Sequence, residues 1–186
     1  MAAFVAVYDA NVLYPAHLRD LLIRLARTGL FQGKWTHRIL DECFEHLRDN
    51  RPDLDPQRLA RTRQLMCDAV PDCLIEGYEP LIDALDLPDP DDRHVLAAAV
   101  RANAQVIVTW NLDDFPAEQL DALGIEAQSP DAFVSHVIDL APGRVVQVMT
   151  EMAAALEDPP MTFDELVALL RRDGLATAMA ALGRQL

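Results

Sequence analysis

The apolar positions of this chain follow two periods. Residues 2–8, AAFVAVY, form an uninterrupted apolar run, the pattern of a strand buried on both faces of a parallel sheet, and QVIVTW at 105–110 repeats it. Elsewhere the period is helical. HLRDLLIRLAR follows Pro15 and runs to Arg27, where Gly29 stops it. WTHRILDECFEHLRD covers 35–49, and QRLARTRQLMCDAV covers 57–70 behind Pro56. DCLIEG at 72–77 reads as a short strand and PLIDAL at 80–85 as a short helix, ahead of the alanine-rich helix in DPDDRHVLAAAV. Strands that alternate with helices predict an α/β fold, a doubly wound parallel sheet in three layers. In such sheets right-handed crossovers place ligands outside the carboxyl ends of the strands.

Beyond residue 141 the pattern is helical only. PGRVVQVMTEMAAALE and TFDELVALLRRD are separated by Pro159 and Pro160, and a weaker helix, LATAMAALG, follows. Thr162 and Glu165 have capping-box spacing, and Gly174 lies just past the end of that helix. The pattern divides the chain into an α/β domain, 1–141, and a helical extension, 142–186. Val145, Val148, Met149, Met152 and Leu156 form an apolar face expected to cover the domain or to dock a partner helix.

Candidate chemistry sits at strand ends. Asp9 closes the first strand in VYDANVLY, and the turn NLDDF closes the strand VIVTW. DLPDPDD, 86–92, crowds four aspartates in front of the alanine-rich helix. Capping accounts for part of this: with Asp89 as N-cap and Pro90 as the first helical residue, Asp91 and Asp92 meet the positive end of the helix dipole. At about 100° per residue, however, Val95, Leu96, Ala99, Val100 and Ala102 form a stripe centred close to Asp92, with Arg93, His94 and Arg101 opposite. A carboxylate facing the core side without a basic partner is costly, and a bound cation removes that cost.

Composition narrows the classes. The 186 residues are 51% hydrophobic, enough for a sizeable core. No basic leader and no bilayer-length apolar run is present, so the expected location is cytoplasmic, with no membrane partner. Cys43, Cys67 and Cys73 lack CxxC spacing and are expected to be reduced thiols rather than zinc ligands. A formal charge of −14 argues against a polyanionic partner until its distribution is considered. Residues 64–140 carry sixteen acids against two arginines, whereas 19–63 carry ten basic residues against seven acidic ones. An acidic centre thus faces a basic flank, in which Arg19, Lys34 and Arg38 are candidates for holding a phosphate backbone.

Taken in order, VYDANVLYP, a helix with an interior glutamate, DPDDRHVLAAAV and VIVTWNLDDFP resemble the PIN domain, the nuclease fold of VapC-type toxins of bacterial toxin-antitoxin systems. The resemblance covers roughly residues 4–140. It implies a metal-dependent endoribonuclease that binds Mg²⁺ or Mn²⁺ through acidic residues, cleaves RNA and is neutralised by a protein antitoxin, with a homodimer also open. Carried over, Asp9, Glu42, Asp92 and Asp114 are the catalytic acids, with Asp9, Asp92 and Asp114 on the metal. Helical pattern alone leaves Glu42 exposed and makes Glu45 its fallback. The commoner family pattern has an aspartate two residues after the threonine, where this chain has Asn111, so Asp113 and Asp114 both stay open as the last acid. Asn11, Thr109 and Asn111 are expected to hydrogen-bond the acids or an attacking water. Two other classes share parts of this pattern. A phosphoacceptor receiver needs a lysine after a late strand, and Lys34 is the only lysine. A degenerate PIN module that binds partners without cleaving RNA fits the Asn111 change.

Overall fold

The computed structural model describes residues 3–157 and 159–185, so Ala2, placed at the start of the first strand, lies outside the described residues. In chain order the elements are β1 (Phe4–Tyr8), α1 (Ala10–Leu13), α2 (Ala16–Ala26), β2 (Phe31–Lys34), α3 (His37–Asn50), α4 (Pro56–Ala69), α5 (Arg93–Arg101), β3 (Val106–Val108), α6 (Ala117–Leu120), β4 (Glu126–Gln128), α7 (Pro130–Leu140), α8 (Pro142–Ala154), α9 (Phe163–Arg172) and α10 (Ala176–Gly183). The four strands are all parallel, in the order β2-β1-β3-β4, and helices flank the sheet as in a three-layer α/β fold. From β1 the chain steps outward to β2, then crosses back to the other side of β1 to make β3. The order therefore reverses between β1 and β3, and the crevice at the carboxyl ends of these two strands is the switch point of the sheet.

Several helices begin as their sequence signals predict. Thr36 caps α3 by accepting from Ile39 N at 3.0 Å, and Pro56 opens α4 behind Asp55. Thr162 and Glu165 close a full capping box on α9. Two strands, β2 and β4, and the helix α7 are not among the elements expected from the pattern, although α7 has a Ser129 cap accepting from Ala132 N at 3.2 Å, Pro130 in its first turn and buried Phe133, Val134, Val137 and Ile138 at helical spacing. β2 is four residues with a glycine at its third position. A Cβ on Gly33 would stand 2.9 Å from that of Ala26 and 3.2 Å from the Tyr8 ring, so the glycine lets α2 and the aromatic core close on the strand. DCLIEG, by contrast, is not a strand: it is reduced to one bridge between Leu74 and Trp35. PLIDAL forms a 3₁₀ turn, Glu79–Ala84.

The core is one continuous cluster. Tyr8, Phe31, Trp35 and Phe133 stack or meet edge to face at its centre, and the Tyr8 hydroxyl donates to Leu22 O at 3.2 Å. The C-terminal helices extend this core rather than decorate it. α8 packs on α2, α7 and α9, and α10 packs on α7 and α9. Val145, Val148, Met149 and Met152 are buried in those contacts, so the apolar face considered for partner docking is covered by the chain itself. The Asp131 carboxylate on α7 accepts from Thr177 N at 3.1 Å and Ala178 N at 2.8 Å, which caps α10 from across the fold. Among the described residues, no helix is long and apolar enough to cross a membrane.

Candidate active site

Asp9 follows the last residue of β1, and its backbone N–H bonds Val108 O of β3 at 3.1 Å. The carboxylate is buried and fully oriented. Oδ1 accepts from Ala10 N at 2.6 Å, and Oδ2 accepts from Asn11 Nδ2 and from Thr109 Oγ1, both at 2.8 Å. Thr109 Oγ1 in turn accepts from Asn11 Nδ2 and Asn111 N, each at 3.0 Å, and Asn11 Oδ1 accepts from Trp110 N at 3.1 Å. The two strand ends are thus sewn together around one carboxylate. Burial raises the Asp9 pKa, against the lowering effect of the Thr109 and Ala10 hydrogen bonds. The side chain of Asn111 itself is exposed; only its backbone joins the network.

Capping and site chemistry turn out to divide the crowded aspartates between them. Asp89 is the cap, accepting from Asp91 N at 2.9 Å. Pro90–Asp92 is a 3₁₀ turn, and the α-helix starts at Arg93 rather than at Pro90. Asp92 sits half-buried at that junction. Its pKa is pushed up to about 6, first by burial and then by the charges of Asp9, Asp114 and Asp89, while His94 opposes the rise. Among the described residues no basic side chain forms an ion pair with Asp92; the neighbouring Arg93 goes to Asp86 at 3.1 Å. Asp114 ends the 3₁₀ turn Leu112–Asp114 and is half-buried, whereas Asp113 is exposed. Of the two, Asp114 is the one whose charge Asp92 feels.

His94 is the residue that helical phasing misplaced. It is only 1% exposed, not on a solvent face, and its Nε2 lies 3.1 Å from Glu42 Oε1. The difference has a physical source: α5 is enclosed by β1, β3 and the Glu79–Ala84 turn, so a residue opposite its apolar stripe is covered as well. Glu42 also accepts from Arg38 Nε at 3.1 Å. Burial pushes the Glu42 carboxyl up, but the His94 and Arg38 interactions together hold it below its ordinary value. Glu45, the fallback, is 64% exposed and faces Arg48 at 3.8 Å. The available signal for this contact was a histidine two residues past an acidic helix start, and its phase opposite the apolar stripe hid it.

The basic candidates separate. Arg38 pairs with Glu42 on its own helix. Arg19 directs its guanidinium to Leu13 O at 2.8 Å and Tyr14 O at 3.0 Å, and Lys34 donates to Asp72 O at 2.6 Å.

The donor chemistry of the acid cluster fits a hard divalent cation. The converging groups are carboxylate oxygens, and Asp92 carries the raised pKa expected where like charges crowd. The acids converge within electrostatic range without closing a ligand shell: among the described residues, no three His, Cys, Asp or Glu side chains are arranged to hold an ion. The carboxylates whose charges act on one another here are Asp9, Asp92 and Asp114.

A parallel sheet with carboxylates gathered at its switch point defines an α/β protein with an acidic site at the carboxyl ends of its central strands. The profile of the PIN domain matches residues 5–113, more than half of the chain, and the protein belongs to that family. A second profile, the VapC50 C-terminal domain, matches residues 130–184, a span that starts with α7. A protein of Mycobacterium tuberculosis (strain ATCC 25618 / H37Rv) named "Putative ribonuclease VapC50" is 45% identical over 86 residues, 46% of this chain and 50% of the relative. The chain therefore spans about half the length of the curated relative it matches. No solved structure matches the chain.

Proposed function

We propose that this protein is a metal-dependent endoribonuclease, the toxin of a toxin-antitoxin pair, acting in the cytoplasm on RNA phosphodiesters with Mg²⁺ or Mn²⁺. The observation that carries the reading is the gathering of Asp9, Asp92 and Asp114 at the sheet's switch point, with Asp92 pushed up to about 6 by burial and like charge. A cation held there would supply a Lewis acid and an activated water for in-line attack on phosphorus. The chain's own residues orient and polarise. Asn11 and Thr109 fix both the position and the hydrogen bonding of Asp9. His94 and Arg38 hold Glu42 ionised at the rim, where it can accept a proton from water. Arg38 is also free to meet a phosphate when Glu42 releases it. The nuclease unit, 1–141, and the helical extension, 142–186, act as one body, because Asp131 caps α10 and Gly174 lies against Trp110.

The test is cleavage of RNA by purified protein in Mg²⁺ or Mn²⁺ and in EDTA, with Asp9→Asn and Asp114→Asn as comparisons whose folding is checked by circular dichroism. Metal-dependent cleavage that both variants lose supports the reading; cleavage in EDTA, or cleavage by either variant, defeats it. The degenerate-module reading draws on the open arrangement of the acids. Calorimetric titration with Mn²⁺ separates the two, since a scaffold has no carboxylate-dependent binding.

A further inference from the structure

A pocket of about 310 Å³ opens beside the acid cluster, lined by Ala10, Asn11, Tyr14, Glu42, Cys43 and His46. Asn11 and Glu42 belong to both places: one hydrogen-bonds Asp9, the other is held by His94. The far wall is of different chemistry. The Tyr14 and His46 rings meet edge to face, with centroids 4.9 Å apart and planes at 64°. Burial pushes the Cys43 thiol up to about 11, which makes it a neutral, apolar surface at physiological pH. The tyrosine is braced from behind, because Arg19 donates to the carbonyls of Leu13 and Tyr14 and the Tyr14 N–H bonds Ala10 O at 3.1 Å.

Tyr14 also lines a second, larger groove of about 700 Å³, together with Arg19, Arg51 and Arg58. Among the described residues Arg58 forms no ion pair, while Arg51 is clamped by Asp53 at 2.8 Å. Asp53 and Asp55 also line this groove, so Arg58 is its available cation; in a chain of net charge −14, carboxylates, an aromatic pocket and an arginine-bearing groove therefore follow one another around a single tyrosine. This succession suits a single nucleic-acid strand, whose phosphates and flat bases alternate, better than a protein helix, which needs a row of apolar anchors spaced over several turns.

Resting on the ribonuclease reading, we propose that the Tyr14–His46 pocket receives one unpaired nucleobase next to the cleaved phosphodiester, and that the adjoining phosphates run along the Arg58 groove. The base stacks on the aromatic wall and presents its polar edge to the His46 imidazole and the rim.

The test uses the full chain and a short oligoadenylate carrying 2-aminopurine at alternate positions, with Ca²⁺ in the buffer. The wild type is expected to bind the probe and quench its fluorescence. Tyr14→Ala and His46→Ala are expected to lose about 5- to 150-fold in affinity, the range for removing one base-stacking aromatic, together with the quenching. Tyr14→Phe should keep both. His46 is exposed, so its truncation leaves the fold intact and guards against misreading an unstable Tyr14 variant. Arg58→Ala should flatten the salt dependence of binding by about one phosphate contact. If both alanine variants bind and quench like the wild type, or the wild type does not quench, while RNA is still cleaved in Mg²⁺ or Mn²⁺, the pocket proposal falls and the ribonuclease reading stands. A protein side chain is then the occupant to seek. A wild-type protein that neither binds nor cleaves single-stranded RNA overturns both.

Discussion

Replacing Asp92 with asparagine should stabilise this protein in the absence of divalent cations while abolishing RNA cleavage. The substitution keeps the shape of the side chain and removes its charge. In the folded state the Asp92 carboxyl is raised from 3.8 to about 6 by burial and by Asp9, Asp114 and Asp89. Ionising it in the fold is therefore harder than in the unfolded chain, by about 3 kcal/mol at about 1.4 kcal/mol per unit. Asp92 is only half-buried, and solvent screening reduces this to about 1–2 kcal/mol. The penalty is absent below pH about 4, where the carboxyl is protonated in both states. It grows as the pH rises through the window between the two values and is complete above about 6. In EDTA at pH 8, Asp92→Asn should accordingly melt about 2–8 °C above the wild type, and the gap should close toward pH 4. Saturating Mn²⁺ should reverse the order, because ligand binding to the folded state stabilises only the chain that binds. The assay is thermal unfolding by circular dichroism across that pH range, with and without Mn²⁺. An asparagine variant no more stable than the wild type at pH 8, or a gap that does not change with pH, refutes the electrostatic account of the site.

Three further outcomes follow from particular contacts. Gly174→Val should cost about 1–3 kcal/mol and alter the emission of Trp110, since φ at Gly174 is +102° and a Cβ there would stand 2.7 Å from the Trp110 indole; an unchanged melting point and unchanged emission contradict the packing. His94→Ala should lower RNA cleavage by about 10- to 100-fold by releasing Glu42, as loss of a supporting hydrogen bond commonly does, and His94→Gln should recover part of it; equal activity in kinetic assays of all three proteins removes His94 from the mechanism. Truncation after Ala141 should give an insoluble or molten product, because it uncovers α2 and α7 where α8 and α10 now pack; a soluble fragment with a cooperative melt shows instead that the extension is dispensable to the fold.

Local pattern was enough for the strands that carry the site and for part of the site itself. β1 and β3 are continuous apolar runs because both of their faces are covered, and chain direction alone then puts Asp9 and Thr109 at the ligand end of the sheet. Asp92 was legible as an inward carboxylate with no basic neighbour to pair with. Glu42 was not: on α3 its phase points away from the apolar stripe, and it reached the candidate set by resemblance to the PIN family. Its place beside His94 follows from α5 being enclosed on several sides, which no amphipathic wheel of one helix can show. β2 and β4 escaped for a related reason. They are the outer strands of the sheet, and FQGK and EAQ mix polar with apolar residues where the equally short β3 is wholly apolar; they exist because a neighbouring strand supplies their hydrogen bonds. The apolar face of α8 could be read, but not its occupant. Amphipathicity says that a face must be covered, and only the three-dimensional arrangement decides that α2, α7 and α9 cover it.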